Sequence, residues 1–419
     1  MTVGGTIEIV SPESVGVSPA GLDAVEALIT RQIANNDYQG SVVLIARHGR
    51  VCYFKAHGKA AEGVPMSTDS IFRLASMTKV LTAVAVMQLW DRGMLGLADP
   101  VSRYIPELGD RQVAECQPDG SYTLRPAARE ICVQDLLTMT AGFTNTWWQD
   151  AFPLDVYKVV PKLYAEAEVR DDMNAPDLTL EENMTRLAKV PLIADPGTMF
   201  DYSNSSVDVL CRIVEVVSGQ DFDSYQKQHI LEPLGMHETW FFIPDEHRAR
   251  LTEVYWPGRD EVQRSNVQVG PVMLGPEGAH SEHHRYFSGA AGLHGTTADY
   301  FRFAQMLLNK GTLDGARILS PAAVELMTSN QIGDLTNWQL TQNKWGFMLD
   351  IQQGVNAPVG SDHYLGGAGA YSWQGYFSTK FVNNPGRDSV ILTMTTPAAD
   401  GALPQNLRIV AAANAAMND

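Results

Sequence analysis

The chain has 419 residues, of which 45% are hydrophobic and 19% charged. That balance belongs to a globular protein able to bury a sizeable core without disulfide or metal staples. A formal net charge of −17 argues against nucleic acid and anionic membranes as partners, since both need basic patches.

In chain order, residues 1–10 (MTVGGTIEIV) lack the basic and apolar regions of a signal peptide, so a cytoplasmic location is expected. Ser18-Pro19 meets the N-cap and N1 preferences of a helix, and Leu22, Val25, Ile29 and Ile33 form its apolar stripe. Gly16-Val17-Ser18-Pro19 lacks the closing glycine of a Gly-x-Ser-x-Gly elbow, which leaves Ser18 as a cap. Residues 41–47 and 51–55 are β-rich and read as a hairpin joined at His48-Gly49-Arg50. Residues 80–90 (VLTAVAVMQLW) are apolar almost all round, a helix buried on every face that stops at Arg92-Gly93. They are far too few to span a bilayer.

From about residue 101 to 289, loops rich in Pro, Gly and Asp separate short helices. An amphipathic helix is expected over 131–140 and another over 206–218, closed by Gly219. Further helices are expected over 298–309, after Ser320-Pro321 and after Pro404. Strand character returns at 345–351, 375–382 and 389–395. With β segments at both ends and helices between, the expected fold is α/β (α+β): an antiparallel sheet flanked by helices, plus a mostly helical lobe. We expect one catalytic unit over 1–419, with residues 1–100 and 290–419 forming the α/β lobe and 101–289 the helical one.

The chemistry centres on Ser76-Met77-Thr78-Lys79. Three residues apart on a helix, Ser76 and Lys79 share a face, so the amine can reach the hydroxyl. Serine is a weak nucleophile until a neighbouring base takes its proton, and a partly desolvated lysine favours its neutral form. Ser76 also stands where helix N–H groups are free. A second stretch, Pro196-Gly197 through Tyr202-Ser203-Asn204, places a tyrosine and an asparagine in a loop before a helix.

Together with Ile71-Phe72-Arg73-Leu74-Ala75, Asp135-Leu136-Leu137-Thr138, Pro233-Leu234-Gly235-Met236 and residues 292–300, these motifs resemble the serine β-lactamase and penicillin-binding-protein superfamily, in its order. The likeness is to class C β-lactamases and the β-lactamase-like (family VIII) carboxylesterases, over roughly residues 18–398. It implies a β-lactamase/transpeptidase-like fold with Ser76 as the acylated nucleophile and Lys79 and Tyr202 sharing acid and base work. It implies that Asn204 bonds Lys79 and the substrate, and that the backbone N–H groups of Ser76 and Tyr376 form the oxyanion hole. Trp373-Gln374-Gly375 stands for the third element, and all three are expected against substrate.

The departures bear on specificity. No Lys-Thr-Gly occurs at that third element, so the cation that would grip a β-lactam carboxylate is missing and Trp373 offers an apolar wall instead. Lys380 lies five residues on and is a poor substitute. Met139 stands in Leu-Leu-Thr-Met-Thr-Ala-Gly where relatives often carry histidine and serine, so that edge of the pocket is expected to differ, and Trp147-Trp148 is either a hydrophobic subsite or a loop anchor. His280-Ser281-Glu282-His283-His284 matches no zinc pattern and reads as a solvated loop. His294 reads as structural, and four cysteines without Cys-x-x-Cys spacing read as reduced thiols.

The expected protein is therefore a serine hydrolase of small-molecule esters that needs no cofactor or metal. Acyl transfer, β-lactam hydrolysis and D-amino-acid peptide or amide hydrolysis use the same residues, and a silent binding protein on this scaffold is the non-enzymatic alternative. Its oligomeric state is not legible in the sequence.

Overall fold

The computed structural model describes residues 7–170, 178–255, 285–354, 364–398 and 403–418. It opens with α1 (Pro19–Ala34), whose first turn is closed by Ser18 Oγ accepting from the Gly21 N–H. β1 (Gly40–Arg47) and β2 (Arg50–Ala61) then form the expected hairpin, β2 running further than the apolar run alone. Arg47 pairs with Arg50, so His48 and Gly49 alone make the turn, both with positive φ (52° and 69°). That is the geometry matching the right-handed twist of the flanking strands. β3 (Val64–Pro65), β4 (Ile71–Arg73) and α2 (Thr78–Asp91) follow.

The middle of the chain holds β5 (Gln112–Cys116), β6 (Tyr122–Pro126), α3 (Val133–Leu137), α4 (Val156–Glu166), α5 (Leu180–Leu187), α6 (Asn204–Ser218), α7 (Phe222–Gln226) and β7 (Thr239–Trp240). After β8 (His294–Thr296) and α8 (Thr297–Leu308) come a small hairpin, β9 (Thr312–Leu313) with β10 (Ala316–Arg317), and α9 (Pro321–Met327). β11 (Lys344–Trp345), β12 (Asp350–Ile351), β13 (Tyr371–Gly375), β14 (Thr379–Asn384), β15 (Ser389–Thr395) and α10 (Leu403–Ala415) complete it.

One eight-stranded antiparallel sheet, in the order β11-β12-β13-β14-β15-β1-β2-β3, joins the two ends of the chain through the β1–β15 pairing. Its strands alternate between two apolar layers, as a period of two requires. Val43, Ile45, Val382 and Ile391 face α1 and α10, in a layer with Leu22, Val25, Ile29, Ile409 and Val410. Val42, Leu44, Phe381 and Leu392 face the other way, into the larger core shared with α2, α6 and α8.

Three expectations are corrected. The helix over 131–140 is only α3, because Met139 takes a left-handed φ of 59° and ends it. The strand over 345–351 is two short strands around a turn. There Gly346 passes so close to the Met327 carbonyl that a Cβ would lie 2.0 Å from it. The strand over 375–382 breaks at residues 376–378, where Ser378 has φ 58° and its N–H bonds back to the Gly375 carbonyl at 2.9 Å. No helix among the described residues is long and apolar enough to cross a membrane.

Candidate active site

The turn carrying Ser76 is one 3₁₀ turn, Ala75–Met77, running straight into α2. Ala75 holds φ at +45°, a conformation that L-residues rarely adopt. Two neighbours pin it. The Leu74 N–H donates to the Leu293 carbonyl at 2.9 Å, and Gly375 at the end of β13 approaches the Leu74 carbonyl. A Cβ at Gly375 would sit 2.3 Å from that oxygen, so only glycine lets the strand end meet the turn this closely.

Lys79, the second residue of α2 and one turn on from Ser76, is fully buried. Its ammonium nitrogen donates to Ser76 Oγ at 3.0 Å and to the Ala290 carbonyl at 2.7 Å, and lies 4.8 Å from the centre of the Tyr202 ring. Burial pulls its pKa from 10.5 down to about 7, against the opposing charge of Asp208. The expected bond between Lys79 and Asn204 is not formed. Asn204 instead opens α6, and the carbonyl of Ala290 takes the lysine's second hydrogen bond.

Tyr202 is held by its backbone. Its carbonyl accepts from Asn145 Nδ2 and, at 2.9 Å, from Trp148 Nε1, while its N–H donates to Gln339 Oε1 at 2.6 Å. Asn145 Oδ1 also accepts from the Asn204 N–H at 2.8 Å, so one side chain spans both predicted residues. Gln339 Nε2 donates in turn to Tyr157 Oη (3.1 Å) and Asp201 Oδ2 (3.2 Å). Asp201 is fully buried, which pushes its carboxyl well above the usual range. Met139 supports the same loop, its carbonyl accepting from the Asp201 N–H at 2.8 Å.

Trp373 faces this centre, its ring 5.4 Å from that of Tyr202 and edge-on to Trp345 at 4.5 Å. Gln374 faces the opposite side of the sheet. It pairs across the strands with Lys380, whose ammonium donates to Gln374 Oε1 and Ser372 Oγ, both at 3.2 Å. Lys380 thus shares a strand face with Val382 and not with Trp373. Trp148 packs against Phe152 at 4.9 Å and anchors the Tyr202 loop, whereas Trp147 beside it is 43% exposed. Tyr376 follows β13 directly and His294 is buried on β8 opposite Arg73. The histidine-rich stretch 280–284 lies outside the described residues. Among the described residues no cluster of three or more His, Cys, Asp or Glu side chains is placed to hold a metal ion.

Asn145, Gln339 and Ala290 escaped sequence reasoning, since each acts from a loop remote in sequence and without a local pattern.

A serine with a buried lysine at hydrogen-bond distance, under a tyrosine ring and beside an antiparallel strand end, is an arrangement able to support serine-hydrolase chemistry. Residues 25–415 match the Beta-lactamase family, and the chain belongs to it as a serine hydrolase of that fold. Protein Rv1367c of Mycobacterium tuberculosis (strain ATCC 25618 / H37Rv) is 32% identical over 339 residues, 79% of this chain and 78% of its own. Esterase EstB of Burkholderia gladioli is 29% identical over 411 residues, covering 94% and 96% of the two chains. Among solved structures, EstCE1, described as a hydrolase with promiscuous acyltransferase activity, superposes with a TM-score of 0.76 at 27% identity. The superposition covers 96% of this chain and 99% of that one.

Proposed function

We propose that this hydrolase cleaves carboxylic esters through a covalent acyl-enzyme on Ser76. The observation that carries the reading is the contact of 3.0 Å between Ser76 Oγ and a lysine whose pKa burial brings down to about 7. Ser76 Oγ attacks the ester carbonyl and gives its proton to Lys79 Nζ. The oxyanion accepts from the N–H groups of Ser76 and Tyr376, a pairing supported by the close approach of Gly375 to the turn bearing Ser76. Collapse of the tetrahedral intermediate expels the alcohol, protonated through Tyr202 and Lys79, and water then attacks the acyl-enzyme by the reverse proton path.

Esters are favoured over β-lactams because an aromatic wall, Trp373, stands where a carboxylate-gripping cation would be needed, and Lys380 faces the other side of the sheet. The likeness to EstCE1 supports a second outcome on the same acyl-enzyme, transfer to an alcohol in place of water. Hydrolysis of p-nitrophenyl esters of graded length beside nitrocefin, with Ser76→Ala as control, tests the reading. Ser76-dependent ester cleavage with weak nitrocefin turnover is expected. Efficient nitrocefin turnover with poor ester cleavage would replace the esterase by a β-lactamase.

A further inference from the structure

Behind Lys79 lies a buried carboxylate that the catalytic steps above do not use. Asp208 is one turn beyond Asn204 on α6 and is fully buried. Its two oxygens each accept a hydroxyl: Oδ2 from Tyr286 at 2.7 Å and Oδ1 from Ser288 at 2.9 Å. Two donors, one per oxygen, are the partners an ionised carboxylate needs in a dry interior. The Tyr286 hydroxyl also accepts from Asn183 Nδ2 at 2.8 Å, which ties the group to α5.

From Asp208 a continuous hydrogen-bonded path leads to the nucleophile. Ser288 Oγ accepts from the Ala290 N–H at 3.2 Å, the Ala290 carbonyl accepts from Lys79 Nζ, and Lys79 Nζ donates to Ser76 Oγ. The segment between has little room to move. A Cβ at Gly289 would lie 2.3 Å from both Cys211 Sγ and Thr82 Oγ1, and the Gly289 carbonyl accepts from Thr82 Oγ1 at 2.9 Å. Further on, the Leu293 N–H donates to Thr78 Oγ1 at 3.2 Å. Residues 286–293 are thus a strap stitched to α2 on one side and α6 on the other.

We propose that Asp208 is a positioning residue of this hydrolase, holding the 286–290 strap so that the Ala290 carbonyl keeps Lys79 against Ser76. The proposal rests on the Ser76 and Lys79 chemistry given above. Asp208 also acts on Lys79 through its charge. The groups facing the ammonium are Asp208 and Cys211 from α6, Tyr202 from the loop before it, and Ser76 on its own turn. Asp208 opposes the effect of burial and keeps the lysine from being neutral over the whole range, so that it can both take and return a proton.

The two ways in which a variant could act on Lys79 have opposite signs. Loss of the charge alone makes the ammonium less favourable and lowers its titration midpoint. Loosening of the strap alone admits water and raises the midpoint toward that of an ordinary lysine. The experiment is NMR titration of ¹³Cε-labelled lysine, with Lys79→Met assigning the signal, in wild type, Asp208→Asn and Ser288→Ala. kcat and KM for a p-nitrophenyl ester are measured against pH alongside.

Asp208→Asn is expected to lower the Lys79 midpoint by about one pH unit, to carry the acid limb of kcat/KM down with it, and to cut kcat about tenfold with KM little changed. Ser288→Ala keeps the charge and cuts the strap, so kcat falls while the midpoint does not move down. An unmoved midpoint together with an unchanged kcat in Asp208→Asn would overturn the proposal, whereas a raised midpoint would show that the strap, more than the charge, holds Lys79. Should that variant not fold, an unchanged kcat in Ser288→Ala would overturn it instead. A wild-type protein without Ser76-dependent ester turnover would sink the esterase reading, while the lysine titration would still decide the role of Asp208.

Discussion

Replacing Lys79 with methionine should abolish turnover and yet make the protein harder to unfold below neutral pH. Burial lowers the pKa of this lysine from 10.5 to about 7 in the folded chain, and unfolding returns it to water and to the higher value. Between those values the unfolded chain binds a proton that the folded chain lacks, so wild-type stability rises with pH across that window. The penalty is complete below about pH 7, shrinks by about 1.4 kcal/mol per pH unit above it, and is gone above about pH 10.5. Its full span is about 5 kcal/mol.

Methionine carries no such proton and suits a helix that is apolar on all sides. It leaves the Ala290 carbonyl without its donor, at a cost of about 1–3 kcal/mol that does not vary with pH. The net gain expected near pH 6 is therefore about 2–4 kcal/mol, turning to a loss by about pH 10. Urea unfolding of both proteins across that range measures it, and the difference between the two isolates Lys79 from every other titrating group. Curves of ΔG against pH that stay parallel would show an ammonium with an ordinary pKa, and the general-base role would fall with it.

Four further expectations follow from the same geometry. On the proposed mechanism the neutral amine is the active form, so kcat/KM for an activated ester should rise through about pH 7 as Lys79 loses its proton, and a flat profile from pH 5 to 9 would contradict that. Tyr202→Phe should cost at least about a hundredfold in kcat with little change in thermal midpoint, and full activity would remove Tyr202 from proton transfer. Trp148→Phe deletes a donor to the Tyr202 carbonyl and should lower kcat about tenfold at nearly constant KM, read from steady-state kinetics. Gly375→Ala places a methyl against the Leu74 carbonyl and should cost about 1–3 kcal/mol in stability as well as activity, so a variant as stable and active as wild type would disprove the close approach.

The elements legible in the sequence are those whose ends carry their own chemistry. α1 begins where Ser18-Pro19 says it should, α6 closes on Gly219 at φ 71°, and β15 coincides with the apolar run 389–395. The β5–β6 hairpin stayed hidden because its second strand, YTLRP, is mostly exposed, so the alternation of Tyr122 and Leu124 with polar residues marks no buried face. The break after Gly375 was hidden for another reason. At that break Gly375 meets the carbonyl of Leu74, some three hundred residues earlier in the chain, and no local pattern announces the contact. The site divides in the same way. Ser76, Lys79 and Tyr202 sit in local patterns, whereas Asn145, Gln339 and Ala290 are partners that only folding brings within reach.

On the proposed mechanism, the features that make this centre reactive are costs that the surrounding fold must offset. Every residue of α2 from Thr78 to Leu89 is buried, so a lysine among them is desolvated by the packing that makes the helix part of the core. A more exposed α2 would hold a more comfortable lysine and a poorer base. Ala75 carries a second cost, a left-handed backbone of about 1–3 kcal/mol at the turn that presents Ser76. Both strains sit within four residues, and both are held from outside the helix, by the Leu293 carbonyl, the Ala290 carbonyl and the end of β13. Those three supports come from the last third of the chain, and Ser76 and Lys79 from the first. On the proposed mechanism, the nucleophile therefore acquires its base and its geometry only once the last third of the chain has packed against the first.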